Sequence, residues 1–543
     1  MTPTPRRSPR LLLALLALAV PAAAAPPVNL LLVFVDNVGF GDLGCYGNTA
    51  VRTPHLDRLA REGARCTQFY VVTSSCTPSR GALLTGRYPG RNGLPHQLAA
   101  TENWHGIGLP HRERILPQLL RPAGYATGCF GKWNLGFAPG SRPTERGFDE
   151  FLGFRAGNIG YYDHLYNHER DTFRGTTPVV LEGYSTDLFA AAAIDFIRRH
   201  ADRPWFAYVP LNAAHFNTAQ NVAPGKPPVW EVPAEHLAAY GWPADEPDER
   251  RRYLAVLTAL DAAIGRMLGA LDELGLRERT LVAVLSDNGA FMLPGRGREV
   301  ASNAPLRSGG TTCYEGGVRV PALFRLPGRI PAGSTVTAML SQLDLVPLAL
   351  GLAGLPLPAD RVLDGRDPLP ALAGQEPSPH PRLGFAYAGT TALREGPLKL
   401  VRPAPAAPWE LYDVEADPGE SRDLAAGRPD EVRRLAAAHA AWMADLARDA
   451  SPRAPWTRPR GGAEGAHQAC RVTSVKAVKS SSKVATGSPA SAAVAASQAS
   501  PRSTLALRTG SPSPSLALTR RSNARSRWRR TAPPSPPSAR ICR

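Results

Sequence analysis

Two Asp-Asn dipeptides and one cysteine-centred pentapeptide are the residues of this chain best suited to chemistry. Asp36-Asn37 and Asp287-Asn288 each close an apolar run, and their carboxylate and amide oxygens are hard donors suited to Ca²⁺, with Mg²⁺ as the alternative. A lone Asp-Asn behind a strand is more often a turn or a helix cap. The pairs gain meaning from Cys76-Thr77-Pro78-Ser79-Arg80. Pro78 suits the first turn of a helix, which puts Cys76 at an N-terminus where free N–H groups and the helix dipole stabilise anions. Arg80 adds a planar cationic fork for an oxyanion. A lone cysteine is ordinarily a small buried hydrophobe; with Pro and Arg at this spacing it reads as functional.

These residues need elements to hold them. Residues 28–35 and 280–285 are almost unbroken apolar runs, as are 125–130 and 205–211, and continuous runs suit parallel strands covered on both faces. Between them lie helical patterns at 54–62, 186–199 and 253–274, the last with Leu257, Leu260, Ile264, Met267, Leu271 and Leu274 on one stripe. Alternating strands and helices predict an α/β sandwich. Ligands in such folds gather beyond the carboxyl ends of strands, where both Asp-Asn pairs fall. After about residue 350 the pattern turns Pro- and Gly-rich, then predicts strands at 399–401 and 410–414 and a helix over 429–448. The expected organisation is a signal at 1–25, a catalytic α/β domain at 26–350, a small α+β subdomain at 351–450 and a basic tail at 466–543.

The 543 residues allow a sizeable core, and 43% hydrophobic with 20% charged residues excludes a wholly disordered chain. The net charge of +17 suggests a nucleic-acid binder until it is divided: residues 451–543 hold 17 Lys or Arg and one acid, leaving +1 for the rest. The catalytic body is therefore not expected to bind nucleic acid. The tail is rich in Ser, Ala, Arg and Pro and lacks a core-forming pattern. Arg6, Arg7 and Arg10, the apolar run 11–20 and the small residues 22–25 follow the plan of a cleaved export signal, which places the protein in the periplasm or outside the cell. No later stretch reads as a membrane span. Seven scattered cysteines without a Cys-x-x-Cys pair are neither a disulfide framework nor a zinc site.

Cys76-Thr77-Pro78-Ser79-Arg80, with Leu84-Thr85-Gly86-Arg87 after it, resembles the signature of the type I, formylglycine-dependent sulfatases of the alkaline phosphatase superfamily, most of all the arylsulfatase A group. Gly131-Lys132-Trp133, Asn212-Ala213-Ala214-His215, Ser286-Asp287-Asn288-Gly289 and Tyr314-Glu315-Gly316-Gly317 extend the resemblance over about residues 28–450. It implies an alkaline phosphatase-like fold, a large mixed, mostly parallel sheet sandwiched by helices. It also implies hydrolysis of a sulfate ester, here expected on carbohydrate. By the same resemblance a maturation enzyme oxidises Cys76 to formylglycine. One hydroxyl of its hydrate attacks sulfur and the other expels sulfate. Asp36, Asn37, Asp287, Asn288 and the modified Cys76 match calcium ligands, Arg80 and Lys132 match charge stabilisers, and His215 matches a residue near the leaving group.

Three positions depart from the pattern: Asn37 stands where a second Asp is usual, Asn134 where His is usual, and Gly310 where an active-site Lys is expected. Asn134 is expected to face substrate; at Gly310 the alternatives are a heavier reliance on His215, Arg307 of the same loop reaching into the gap that lysine would fill, or a shifted loop register in which no lysine is needed. Asn158, Tyr161, Tyr162 and His164 are a candidate sugar rim, with loop packing as the competing reading. The rival functions are a phosphate or phosphonate ester hydrolase on the same fold and a catalytically impaired binder of sulfated glycan.

Overall fold

The computed structural model describes residues 27–98, 108–292 and 300–452. The expected export signal and basic tail lie outside the described residues.

A ten-stranded mixed sheet forms the centre. Its strands are β1 (Asn29–Val35), β2 (Ala64–Cys66), β3 (Ala126–Lys132), β4 (Glu150–Phe154), β5 (Phe173–Arg174), β6 (Thr177–Pro178), β7 (Trp205–Pro210), β8 (Thr280–Ser286), β9 (Ala322–Arg325) and β10 (Ser334–Val336), in the spatial order β10-β2-β9-β8-β1-β7-β3-β4-β5-β6. From β8 through β1, β7 and β3 to β4 every pairing is parallel, while β9 and β5 join antiparallel. Register across the centre is uniform, with Leu32 facing Tyr208 on one side and Ala283 on the other.

The continuous apolar runs have the predicted cause. Leu30, Leu32 and Phe34 of β1 enter one core, and Leu31, Val33 and Val35 enter the other. On the second face lie α1 (Pro54–Glu62), α3 (Ser185–Arg199) and α4 (Glu249–Glu273). On the first lie α2 (Cys76–Thr85) and α5 (Leu345–Leu352). Helix α4 is long and apolar enough to cross a membrane, which the sequence reading overlooked. Tyr253, Leu257, Leu260, Ile264, Met267 and Leu271 on it are all buried, so that surface packs in the core.

A smaller antiparallel sheet follows, β11 (Arg382–Tyr387), β12 (Thr390–Glu395), β13 (Leu398–Arg402) and β14 (Glu410–Asp413), backed by α6 (Pro429–Asp445). It is fastened to the main body through buried charge. Lys399 Nζ lies 2.8 Å from Glu315 Oε1 and 3.2 Å from Glu420 Oε1, Tyr70 Oη donates to Glu315 Oε2 at 2.7 Å, and the Glu315 backbone N–H donates to Glu420. Burial opposes ionisation of Glu315, but Lys399, Arg319 and Arg394 outweigh it and keep the carboxylate charged. The motif around Glu315 therefore fastens the two sheets together.

Candidate active site

Four adjacent parallel strands deliver the site. Asp36 and Asn37 follow β1, Asp287 and Asn288 follow β8, Lys132 ends β3, and Asn212 to His215 follow β7. The turns lock to one another: Asp36 N–H donates to Ala213 O (2.9 Å), Ala214 N–H to Asp36 O (2.8 Å) and Asp287 N–H to Val35 O (3.0 Å). Asn37 sits at φ 59°, in the left-handed region that Asn tolerates better than most residues.

Across from these strand ends stands α2. Its first residue is Cys76, Ser75 is the extended N-cap residue, and Gly86 closes the helix in the left-handed conformation. Cys76 Sγ lies 3.5 Å from Asp36 Oδ1 and 4.0 Å from Asn37 Oδ1. A His215 ring nitrogen lies within 4.8 Å of both the sulfur and an Asp36 oxygen. Burial, and after it Asp287, pushes the Cys76 thiol well above its ordinary pKa.

Two cations balance the two carboxylates. Lys132 Nζ is 2.6 Å from Asp36 Oδ2, and Arg80 Nη2 is 2.7 Å from Asp287 Oδ2, all four side chains being fully buried. Arg80 Nε and Nη1 meet no hydrogen-bond acceptor among the described residues. Buried donors of this kind carry a desolvation cost that an oxyanion would remove. Burial works against the Arg80 charge, but Asp287, Tyr208 and Asp36 outweigh it, so its pKa rises.

The oxygen donors converge as well. Asn288 Nδ2 donates to Asn37 Oδ1 at 2.6 Å, while Asn288 Oδ1 is buried and meets no donor. Two carboxylates and two amide oxygens, one of the latter an orphaned acceptor, suit a hard divalent cation. His215 Nδ1 lies 2.8 Å from the Phe216 carbonyl, which can only accept, so Nδ1 carries the proton and Nε2 is left as the basic nitrogen. Burial and Lys132 lower the His215 pKa to about 3.

Residues 28–355 match the Sulfatase family. The chain belongs to the sulfatase family. It is 37% identical over 410 residues to N-acetylgalactosamine-6-sulfatase of Canis lupus familiaris, covering 71% of this chain and 73% of that one. It is also 37% identical over 457 residues to arylsulfatase A of Homo sapiens, covering 76% and 86%. Among solved structures, Ps i-CgsB in complex with k-i-k-neocarrahexaose superposes with a TM-score of 0.70 at 27% identity, covering 79% of this chain and 95% of that one. The sulfatase is thus a sulfuric ester hydrolase on an alkaline phosphatase-like fold.

Not every expected residue joins the site of this sulfatase. Asn134 lies beside α2 at φ 53°, and its Oδ1 accepts from Thr77 Oγ1 (2.8 Å) and Gln97 Nε2 (3.2 Å). Two donors on the oxygen fix the amide and leave its buried Nδ2 without an acceptor among the described residues. Arg307 goes elsewhere: its guanidinium donates to Tyr412 Oη (2.8 Å) and the Glu420 carbonyl (3.0 Å) and stacks 4.0 Å from the Tyr314 ring. The smaller sheet and the segment after it captured a side chain expected in the Gly310 gap. The expected sugar rim is corrected in the same way. Asn158 Nδ2 donates to Asn221 Oδ1, His164 is fully buried, and Tyr161 Oη donates to the His215 carbonyl at 2.9 Å. Of the four only Tyr162 is exposed, at 39%. The loop packs behind His215 and supports it.

Sequence reasoning missed Gln97. Its Oε1 accepts from Ser75 Oγ (3.1 Å) and Thr77 N–H (3.0 Å), capping the helix that bears Cys76, while its Nε2 holds Asn134. A single Gln in a loop carries no periodicity or motif to announce it.

Proposed function

We propose that this sulfatase hydrolyses a sulfate ester on carbohydrate, using a formylglycine hydrate made from Cys76 and a bound Ca²⁺. The observation that carries the reading is the juxtaposition of Cys76 Sγ, 3.5 Å from Asp36 Oδ1, with two buried cations, Arg80 and Lys132, both held by site aspartates. Formylglycine at position 76 would supply a geminal diol, a nucleophile able to release its own sulfate ester. Asp36, Asn37, Asp287 and Asn288 would hold the cation, which would supply positive charge for the sulfuryl oxygens. The chain's own groups do the rest. Arg80 and Lys132 offset the site carboxylates and stabilise charge that develops on the sulfuryl group. The α2 N-terminus adds backbone dipoles at the nucleophile. Asn134 Nδ2 supplies a neutral donor where the resemblance to the family leads one to expect His. His215, fixed at Nδ1 by its neighbour's carbonyl, presents an unprotonated Nε2 beside residue 76, able to take the proton released by the attacking hydroxyl and pass it to the departing alcohol. Carbohydrate is favoured because the relatives named above include an N-acetylgalactosamine-6-sulfatase and a protein solved with neocarrahexaose. The protein is read as exported, which suits a polymeric extracellular substrate.

The test is sulfate release by protein coexpressed with a formylglycine-generating enzyme, offered an aryl sulfate and a panel of sulfated glycosaminoglycan and galactan oligosaccharides. Turnover that vanishes in Cys76→Ala supports the reading. Wild-type protein that binds these oligosaccharides without releasing sulfate would establish the non-catalytic alternative, and preference for phosphate or phosphonate esters would establish the other.

A further inference from the structure

Beside His215 the site changes from polar to aromatic. The Phe216 ring lies 4.5 Å from the His215 ring, centroid to centroid, and meets Phe291 edge-on at 6.3 Å and Trp230 edge-on at 6.4 Å. Phe216 and Phe291 are only half-buried. Phe291 follows directly on the Asp287–Ala290 turn and runs under the loop of Gly310, whose N–H donates to Ala290 O at 3.0 Å. The next residue, Thr311, donates to Ser74 O at 2.8 Å, two positions before Cys76. The aromatic pair therefore bridges from His215 to the loop that leads into Cys76.

Gly310 belongs to this arrangement. A Cβ placed on it would lie 3.0 Å from Phe291 Cδ2 and 3.1 Å from Cε2, as well as 3.0 Å from the Gly289 carbonyl. The ring of Phe291 occupies the room that a side chain at 310 would need. Arg307, the cation nearest in sequence among the described residues, is committed to Tyr412 and Glu420 instead.

We propose that Phe216 and Phe291 form the leaving-group subsite, so that the enzyme selects sulfate esters whose alcohol presents an apolar ring face. That face is either an aromatic ring or the C–H-rich side of a pyranose. The proposal rests on the sulfatase reading above and adds the recognition of the alcohol to it. Position decides the occupant: the pair adjoins His215 and the Cys76 loop, so the group lying on it is the one bonded to the sulfuryl oxygen being cleaved. Half-buried aromatic faces gain from stacking against such a ring beyond simple burial. In this subsite Gly310 is required because it leaves Phe291 its place.

The experiment compares wild type, Phe291→Ala and Phe291→Leu for KM on 4-nitrophenyl sulfate and on a methyl pyranoside sulfate, alongside Ki for inorganic sulfate, which has no alcohol. The expected result is a rise in KM of about tenfold for the ring-bearing esters in Phe291→Ala, a smaller rise in Phe291→Leu, and an unchanged Ki for inorganic sulfate. A rise for the aryl ester alone identifies an aromatic occupant, and a rise for both identifies any apolar ring face. KM unchanged in Phe291→Ala overturns the proposal, as does a parallel rise in Ki, which would place Phe291 at the sulfate itself. Should wild type turn over neither ester, the catalytic reading fails by itself. Calorimetric binding then reads the subsite: 4-nitrophenyl sulfate tighter than inorganic sulfate in wild type and equal to it in Phe291→Ala supports it, and no difference between the proteins overturns it.

Discussion

Arg80 and Asp287 form a fully buried pair, Nη2 to Oδ2 at 2.7 Å, that ties the helix bearing Cys76 to the carboxyl end of β8. The same guanidinium keeps Nε and Nη1 without an acceptor. A lysine could hold Asp287 but could not present two further donors in a fixed plane. Arg80→Lys is expected to stay folded and to lose about a hundredfold in kcat/KM for an aryl sulfate. Sulfate-release kinetics check this, and activity within threefold of wild type would contradict it.

Asn37 sets the charge of the oxygen cluster. With Asp36 and Asp287 offset by Lys132 and Arg80, the site's formal charges cancel before any cation enters. Asn37→Asp keeps an acceptor for Asn288 Nδ2, suits the left-handed backbone at φ 59° and adds a carboxylate to the oxygen cluster proposed to hold the cation. The expected outcome is tighter Ca²⁺ binding by calorimetry and slower loss of activity in chelator. Equal affinity in both proteins would put Asn37 outside the coordination sphere.

Gln97 acts through Asn134 and the α2 N-terminus. Gln97→Glu keeps the acceptor for Thr77 N–H and Ser75 Oγ and removes the donor to Asn134 Oδ1. We expect kcat to fall about tenfold with little change in melting temperature, because the helix cap survives and Asn134, proposed to donate to the substrate, loses the contact that orients its amide. An equal loss in Asn134→Ala and in the double variant would locate the effect in that one contact. A large fall in melting temperature with normal kcat would make Gln97 merely structural.

Much of this was legible in the sequence for definite reasons. β1 and β8 announce themselves because both faces of the strand are buried, so Leu30 to Val35 carry no polar alternation. Pro78 and Gly86 mark the two ends of α2, and helix α1 runs over the predicted residues. Contacts between distant segments left no such trace. Arg307 was drawn toward Gly310 by sequence proximity, but Tyr412, a hundred positions on, supplies its ring and hydroxyl. Asn158 looked like a surface polar residue because its partner, Asn221, lies 63 positions on, and His164 because the backbone of Leu181 and Gly183 returns to meet it. The strands β2, β9 and β10 are three or four residues long, too short to show a period.

His439 makes stability depend on pH. Its Nε2 lies 2.7 Å from Thr391 Oγ1, which itself donates to the Phe385 carbonyl, and Trp409 and Trp442 flank the ring. Burial and Arg402 lower its pKa to about 4, whereas the unfolded chain takes up that proton near pH 6.5. The folded-state value is depressed for a base, so protons favour the unfolded chain. This contribution is complete above pH 6.5 and is lost as pH falls toward 4. His439→Phe, which fills the same space and leaves Thr391 its bond to Phe385, is expected to flatten the fall in melting temperature between pH 6.5 and 4. An equal slope in both proteins would show that His439 does not titrate there.

In the proposed mechanism residue 76 becomes the nucleophile by conversion of its thiol to an aldehyde. Peptide mass spectrometry of Cys76 in protein purified with and without a coexpressed formylglycine-generating enzyme tests it most directly when the same samples are assayed for sulfate release. The expected result is an aldehyde at position 76 whose fractional occupancy tracks specific activity across preparations. Full activity in a preparation whose residue 76 is entirely cysteine would contradict it.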